Sequence, residues 1–120
     1  MVVAAALAAG TAGVRAQQPE PVVVQVDLDE FRLRPSLTSV PAGVPVRVVA
    51  RNSGGFSHQL ALTAPNARGA VLAPGESHTI ELVFGAPGTI QLFCPIGDVP
   101  LLPGVSHRQR GMEASWPVPS

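Results

Sequence analysis

Two runs between residues 22 and 52 alternate valine with polar or charged residues, and proline or glycine punctuates the chain around them. In the first, Val22, Val24, Val26 and Leu28 share one parity while Gln25 and Asp27 take the other. In the second, Val44, Val46, Val48, Ala50 and Asn52 share a parity, with Arg47 and Arg51 opposite. Successive side chains of a strand point to opposite faces, so a period of two marks strands with one buried and one solvated face. No window of helical period stands out, and thirteen Pro and twelve Gly supply the turns. The chain therefore reads as all-β, and its 120 residues leave room for one domain with a real core.

Along the chain the same logic places further strands. Phe31 and Leu33 continue the first run inward, Arg32 and Arg34 face water, and Pro35 stops or bends the strand. Pro41-Ala-Gly43 is a turn, Asn52 ends a core-facing row, and Ser53 to Phe56 is a loop. Ser57 to Thr63 is expected to be a strand with His58, Leu60 and Leu62 inward, and 64–75 is loop-rich. His78 to Phe84 turns Ile80, Leu82 and Phe84 inward and leaves His78 at the rim. Thr89 to Cys94 is the last clear strand, with Ile90, Leu92 and Cys94 on the core side. The tail 115–120 is proline-broken and is not expected to add an element, although Trp116 is placed to cover a sheet edge or lie near the site. At the other end, Met1 to Ala16 is apolar and small-residued and closes on Val-Arg-Ala, which resembles an export-signal cleavage site. Residues 17–21 are then a lead-in and 22–114 the domain.

Charge and motif content narrow the chemistry. Eight basic and eight acidic residues give no net charge, so long-range attraction favours neither nucleic acid nor an anionic membrane surface. There is no lysine, which removes Schiff-base chemistry. One cysteine makes no intrachain disulfide. A structural zinc site normally uses four strong ligands in short paired spacings, and methionine is a poor zinc ligand. A cysteine nucleophile paired with His107 lacks an evident third residue to orient the imidazole. What remains is a set of soft donors, Cys94, His107 and Met112, close in sequence, with His58 as the candidate second imidazole. Such a set selects copper. Alone, an inward His58 is more often a packed residue than a ligand, and a buried cysteine often only fills space. The coincidence of His58 and Cys94 at inward strand ends, with a His and a Met on one following loop, favours a site.

The runs Val40-Pro-Ala-Gly-Val-Pro-Val-Arg-Val-Val-Ala-Arg-Asn52, Gly88-Thr-Ile-Gln-Leu-Phe-Cys94 and His107-Arg-Gln-Arg-Gly-Met112, with His58 between, resemble a small bacterial cupredoxin of the plastocyanin/azurin type over residues 22–114. The resemblance implies a Greek-key β-sandwich and one type 1 copper ion. By it, His58, Cys94 and His107 are the equatorial ligands, Met112 is axial, and Asn52 ties the ligand loops together near the cysteine. One departure stands out. Twelve residues, Pro95 to Ser106, separate Cys94 from His107, where the family usually has only a few. Closure cost rises slowly with loop length, so such an insertion need not abolish the site. Its Val and Leu residues are expected to widen the apolar rim around His107.

The resemblance further implies a periplasmic, monomeric one-electron carrier, free of any membrane span once the signal is removed. Cys94 and the edge of His107 are the expected electron route, and redox partner proteins would dock transiently near His107. Catalysis is not expected, because Phe93 and Pro95 flank the cysteine and only His78 is left to bind further copper. The alternatives are a copper-binding or delivery protein, and a metal-free β-sandwich binding module whose site the insertion has dismantled.

Overall fold

The computed structural model describes residues 20–98 and 106–119. The expected signal segment 1–16, most of the lead-in, and the Val and Leu residues of the insertion, within 99–105, lie outside the described residues. Eight strands follow in order: β1 (Val22–Asp29), β2 (Arg32–Pro35), β3 (Pro45–Asn52), β4 (Ala61–Leu62), β5 (Ala67–Arg68), β6 (Ser77–Val83), β7 (Gly88–Phe93) and β8 (Glu113–Val118). They form two four-stranded sheets, ordered β2-β1-β3-β6 and β5-β4-β7-β8. Among the described residues no helix is long and apolar enough to cross a membrane.

The alternating runs do what their parity requires. Val24, Val26 and Leu28 of β1 and Val46, Val48, Ala50 and Asn52 of β3 are buried, and the two strands pair in parallel from Val22↔Val46 to Leu28↔Asn52. β6 adds antiparallel to β3. The facing sheet supplies Leu62, Ile90, Leu92, Trp116 and Val118, and one continuous core fills the space between the sheets. This is the all-β sandwich that the alternation predicts.

Three elements differ from the sequence reading. The run from Val22 to Arg34 is a hairpin instead of one strand: β2 returns antiparallel to β1, Asp29 pairs with Arg32, and Glu30 and Phe31 form the turn. That turn contains neither glycine nor proline, so composition did not mark it. The expected strand Ser57 to Thr63 is reduced to β4, with His58 held just before it by an isolated bridge to Leu72. Finally, the proline-broken tail is strand β8.

Pro117 is tolerated in β8 because of register. The Cys94 amide donates to the Met112 carbonyl at 3.2 Å, so along the β7–β8 pair hydrogen-bonded partners alternate with non-bonded ones. Thr89↔Pro117 falls in the non-bonded class, where the Pro117 nitrogen points away from β7 toward the open edge. Its carbonyl points the same way and accepts the Val40 amide. Trp116, one residue earlier, points inward and is fully buried, with its indole N–H donating to the Leu37 carbonyl at 2.9 Å. It fills the core instead of covering an edge.

Candidate metal centre

At one end of the sandwich the chain brings three of the four expected donors together. The ligand atoms of His58, Cys94 and His107 lie within 4.8 Å of one another. The two Nδ1 atoms are 3.2 Å apart, and Cys94 Sγ is 3.7 Å from His107 Nδ1. His58 and Cys94 are fully buried, while His107 keeps a partly open edge. His78 stands apart and exposed, its Nδ1 accepting the Ala70 amide.

Each donor is held by backbone. The His58 amide donates to the Leu72 carbonyl at 3.0 Å and the Leu72 amide returns to the His58 carbonyl at 2.8 Å. Cys94 directly follows β7, and the Gln59 amide points at its sulfur at 3.4 Å. The His107 amide donates to the Ile96 carbonyl at 3.0 Å, which closes the neck of the insertion just beyond Cys94. The ligand loop therefore keeps a short effective span whatever the added residues do. A tight turn follows, in which the Met112 amide donates to the His107 carbonyl at 3.1 Å. Met112 is fully buried and lies across the ladder from Cys94.

Asn52 braces the loop that carries His58. Its side-chain amide donates to the carbonyls of Phe56 at 2.7 Å and Leu72 at 2.9 Å, and its Oδ1 accepts the Gly54 amide at 2.9 Å. The backbone amides directed at the Cys94 sulfur, in contrast, are those of Gln59 and Ile96. Asn52 thus acts on the histidine side of the site.

Sequence reasoning missed Glu30 and Phe31. Glu30 Oε1 accepts the amides of Gly55 at 2.6 Å and Phe56 at 2.7 Å, and lies 3.3 Å from His58 Nε2. The Phe31 ring packs edge-on against His107 at a 5.0 Å centroid distance and stacks with Phe56. The available signal was parity: Glu30 shares the inward register of Leu28, where a carboxylate needs a polar reason.

The donor geometry fits a metal. With first-row bond lengths of about 2.0 Å to imidazole nitrogen and about 2.3 Å to thiolate, two nitrogens at a tetrahedral angle lie about 3.3 Å apart. A nitrogen and a sulfur at a trigonal angle lie about 3.7 Å apart. The observed separations match both. Two imidazoles, one cysteine and a buried thioether are also the chemistry of a copper site.

A family model for the cupredoxin-like domain matches residues 1–100. The chain belongs to this family. The match includes His58 and Cys94 and ends before His107 and Met112, whose positions come from the fold. Among solved structures, dithionite-reduced auracyanin from the photosynthetic bacterium Roseiflexus castenholzii is similar, at 20% identity over 85% of this chain and 100% of that one, with a TM-score of 0.65. Auracyanin B is 25% identical over 85% of this chain and 92% of that one, at a TM-score of 0.63. A multicopper oxidase from the hyperthermophile Aquifex aeolicus shares the fold at 14% identity over 87% of this chain and 30% of that one, with a TM-score of 0.61. A search of curated proteins gives no match. The cupredoxin-like fold and this donor set together fit one type 1 copper as the cofactor.

The electrostatics of the donor side chains set a pH dependence. Burial pushes the Cys94 thiol above its ordinary range, with the amides of Gln59 and Ile96 opposing. Burial, and then the charges of His58 and Arg110, lower His107. Near neutral pH the thiol is thus protonated and His107 is neutral, so binding must displace the thiol proton. Copper(II) affinity is expected to rise roughly tenfold per pH unit through the neutral and mildly alkaline range. It should fall more steeply in acid, where His107 also takes a proton. Competition against a chelator across pH 5 to 9 measures the slope, and a flat profile would exclude the thiolate from the bound state.

Proposed function

We propose that this cupredoxin is an exported one-electron carrier in which His58, Cys94, His107 and Met112 would hold one copper ion. The observation that carries the reading is the two Nδ1 atoms 3.2 Å apart beside a fully buried thiol, each donor already fixed by backbone hydrogen bonds. Copper held there supplies a one-electron couple. A trigonal nitrogen–sulfur set with a weak axial thioether suits both oxidation states. The paired bridges at His58 and Leu72, the Ile96–His107 neck and the β7–β8 ladder resist rearrangement, so little has to move between them.

The partly open edge of His107 is the exit. Around it Phe31, Phe56, Ile96 and Arg110 form a shallow rim, and Phe56 is 58% exposed. A shallow rim of two phenylalanines and an isoleucine beside one arginine suits brief docking to a redox partner, as carriers need. The same features argue against delivery, which calls for exposed, exchangeable ligands. They argue equally against catalysis within this chain, because Phe93 and Pro95 flank Cys94 and His78 lies elsewhere.

Cyclic voltammetry of the copper-loaded protein, followed by chelator challenge of the reduced form, tests the carrier reading. A reversible one-electron wave with copper retained in both states is expected. Loss of copper on reduction would favour delivery instead.

A further inference from the structure

Glu30 is not one of the donors, yet its carboxylate joins the β1–β2 turn to the loop that carries His58. Three nitrogens surround Oε1: the Gly55 amide at 2.6 Å and the Phe56 amide at 2.7 Å, both donating, and His58 Nε2 at 3.3 Å. His58 is completely buried and Glu30 only partly so. The loop is also shaped around the carboxylate. A Cβ on Gly54 would lie 2.6 Å from Oε1 and closer still to Oε2, so any side chain there would push Glu30 off its place. The carboxylate is thus seated against the backbone of Gly54 and Gly55.

The chemistry follows from the imidazole. A neutral ring carries one N–H and one lone pair, and the partner of one nitrogen decides the state of the other. A carboxylate only accepts, so His58 Nε2 must be the donor, which leaves the Nδ1 lone pair facing His107 and Cys94. Outer carboxylates of this kind orient a ligand histidine and raise its basicity. A fixed negative charge one ring away from the metal also favours the more highly charged oxidation state.

We propose that Glu30 is a positioning residue that fixes the Nε2–H tautomer of His58 and, through its charge, biases the bound copper toward the +2 state. The inference rests on the proposed ligation by His58, and its two halves have separate readouts.

Tautomers are read in the metal-free protein by long-range nitrogen–proton correlation spectra of the imidazoles, and copper preference by redox titration of the loaded protein. Glu30→Gln retains an oxygen acceptor and removes the charge. It should keep the tautomer while lowering the ratio of copper(II) to copper(I) affinity about tenfold, a rise in potential of about 59 mV for one electron. Glu30→Ala removes both, and should give mixed His58 tautomers and about 10–100-fold weaker copper(II) binding. An unchanged tautomer in Glu30→Ala overturns the positioning role, and an unchanged potential in Glu30→Gln overturns the charge effect. A wild type that takes no copper overturns the charge effect together with the proposed ligation, and the metal-free tautomer then decides positioning by itself. Should Glu30→Ala fail to fold, Gly54→Ala displaces the carboxylate without deleting it and should reproduce the tautomer change; if it does not, the positioning role is overturned.

Discussion

Cys94→Ser is expected to abolish the intense visible thiolate-to-copper band completely and to weaken copper(II) binding by more than the roughly 10–100-fold that loss of an outer partner costs. The reason is that the thiolate is the only soft anionic donor in the cluster of His58, Cys94 and His107. The substitution changes one atom in a fully buried site, and the serine hydroxyl can still take the Gln59 amide that now points at the sulfur. The fold should therefore survive, and any effect reports on the metal. Met112→Leu is the useful contrast. A weak axial ligand tunes a type 1 site without creating it. The band should shift and the potential should rise, but copper should still bind. Absorption and affinity measured on both variants check the expectation, and a band that persists in Cys94→Ser would remove the cysteine from the site.

Trp116→Ala should produce the largest loss of stability, about 3–5 kcal/mol. Trp116 heads the fully buried side chains by volume, packs edge-on against Phe84 at 6.3 Å, and satisfies its indole N–H on the Leu37 carbonyl. Truncation leaves a cavity between the sheets and removes the hydrogen bond to the Leu37 carbonyl. Domains of this size have total stabilities of about 5–15 kcal/mol, so the variant would lose a large share of its folding free energy. Urea denaturation followed by circular dichroism measures the change, since the substitution removes the only tryptophan. A loss below about 1 kcal/mol would mean that β8 contributes little to the core. Because β8 begins directly after Met112, copper binding should weaken as well.

How much of this was legible depended on whether one local rule governed a segment. The period of two located β1, β3, β6 and β7 and named their inward residues correctly, because each of those strands has one buried face. The parallel pairing of β1 with β3 could not be read, since parity is silent about partners. The Glu30–Phe31 turn was hidden by its composition, and it took the Glu30 carboxylate and the Phe31 ring out of view with it. β8 was hidden by Pro117, which breaks a strand only where its nitrogen faces a neighbour; here it faces the open edge. In the site, His58 and Cys94 were readable because scarce residues stood at inward strand ends. His107 was less so, across twelve intervening residues, and the Ile96–His107 hydrogen bond that cancels this distance is a tertiary fact. The gathering of His58, Cys94 and His107 within 4.8 Å is thus the joint result of strand parity and of a neck the sequence did not display.

The most direct test of copper ligation by His58, Cys94 and His107 is a copper(II) titration of the full chain, followed by absorption in the visible region. An intense thiolate-to-copper band that grows linearly and stops at one equivalent is expected. A chain that stays colourless through that titration, with no tight copper binding, would contradict it, and the cluster of His58, Cys94 and His107 would then be a packed end of the sandwich without a metal.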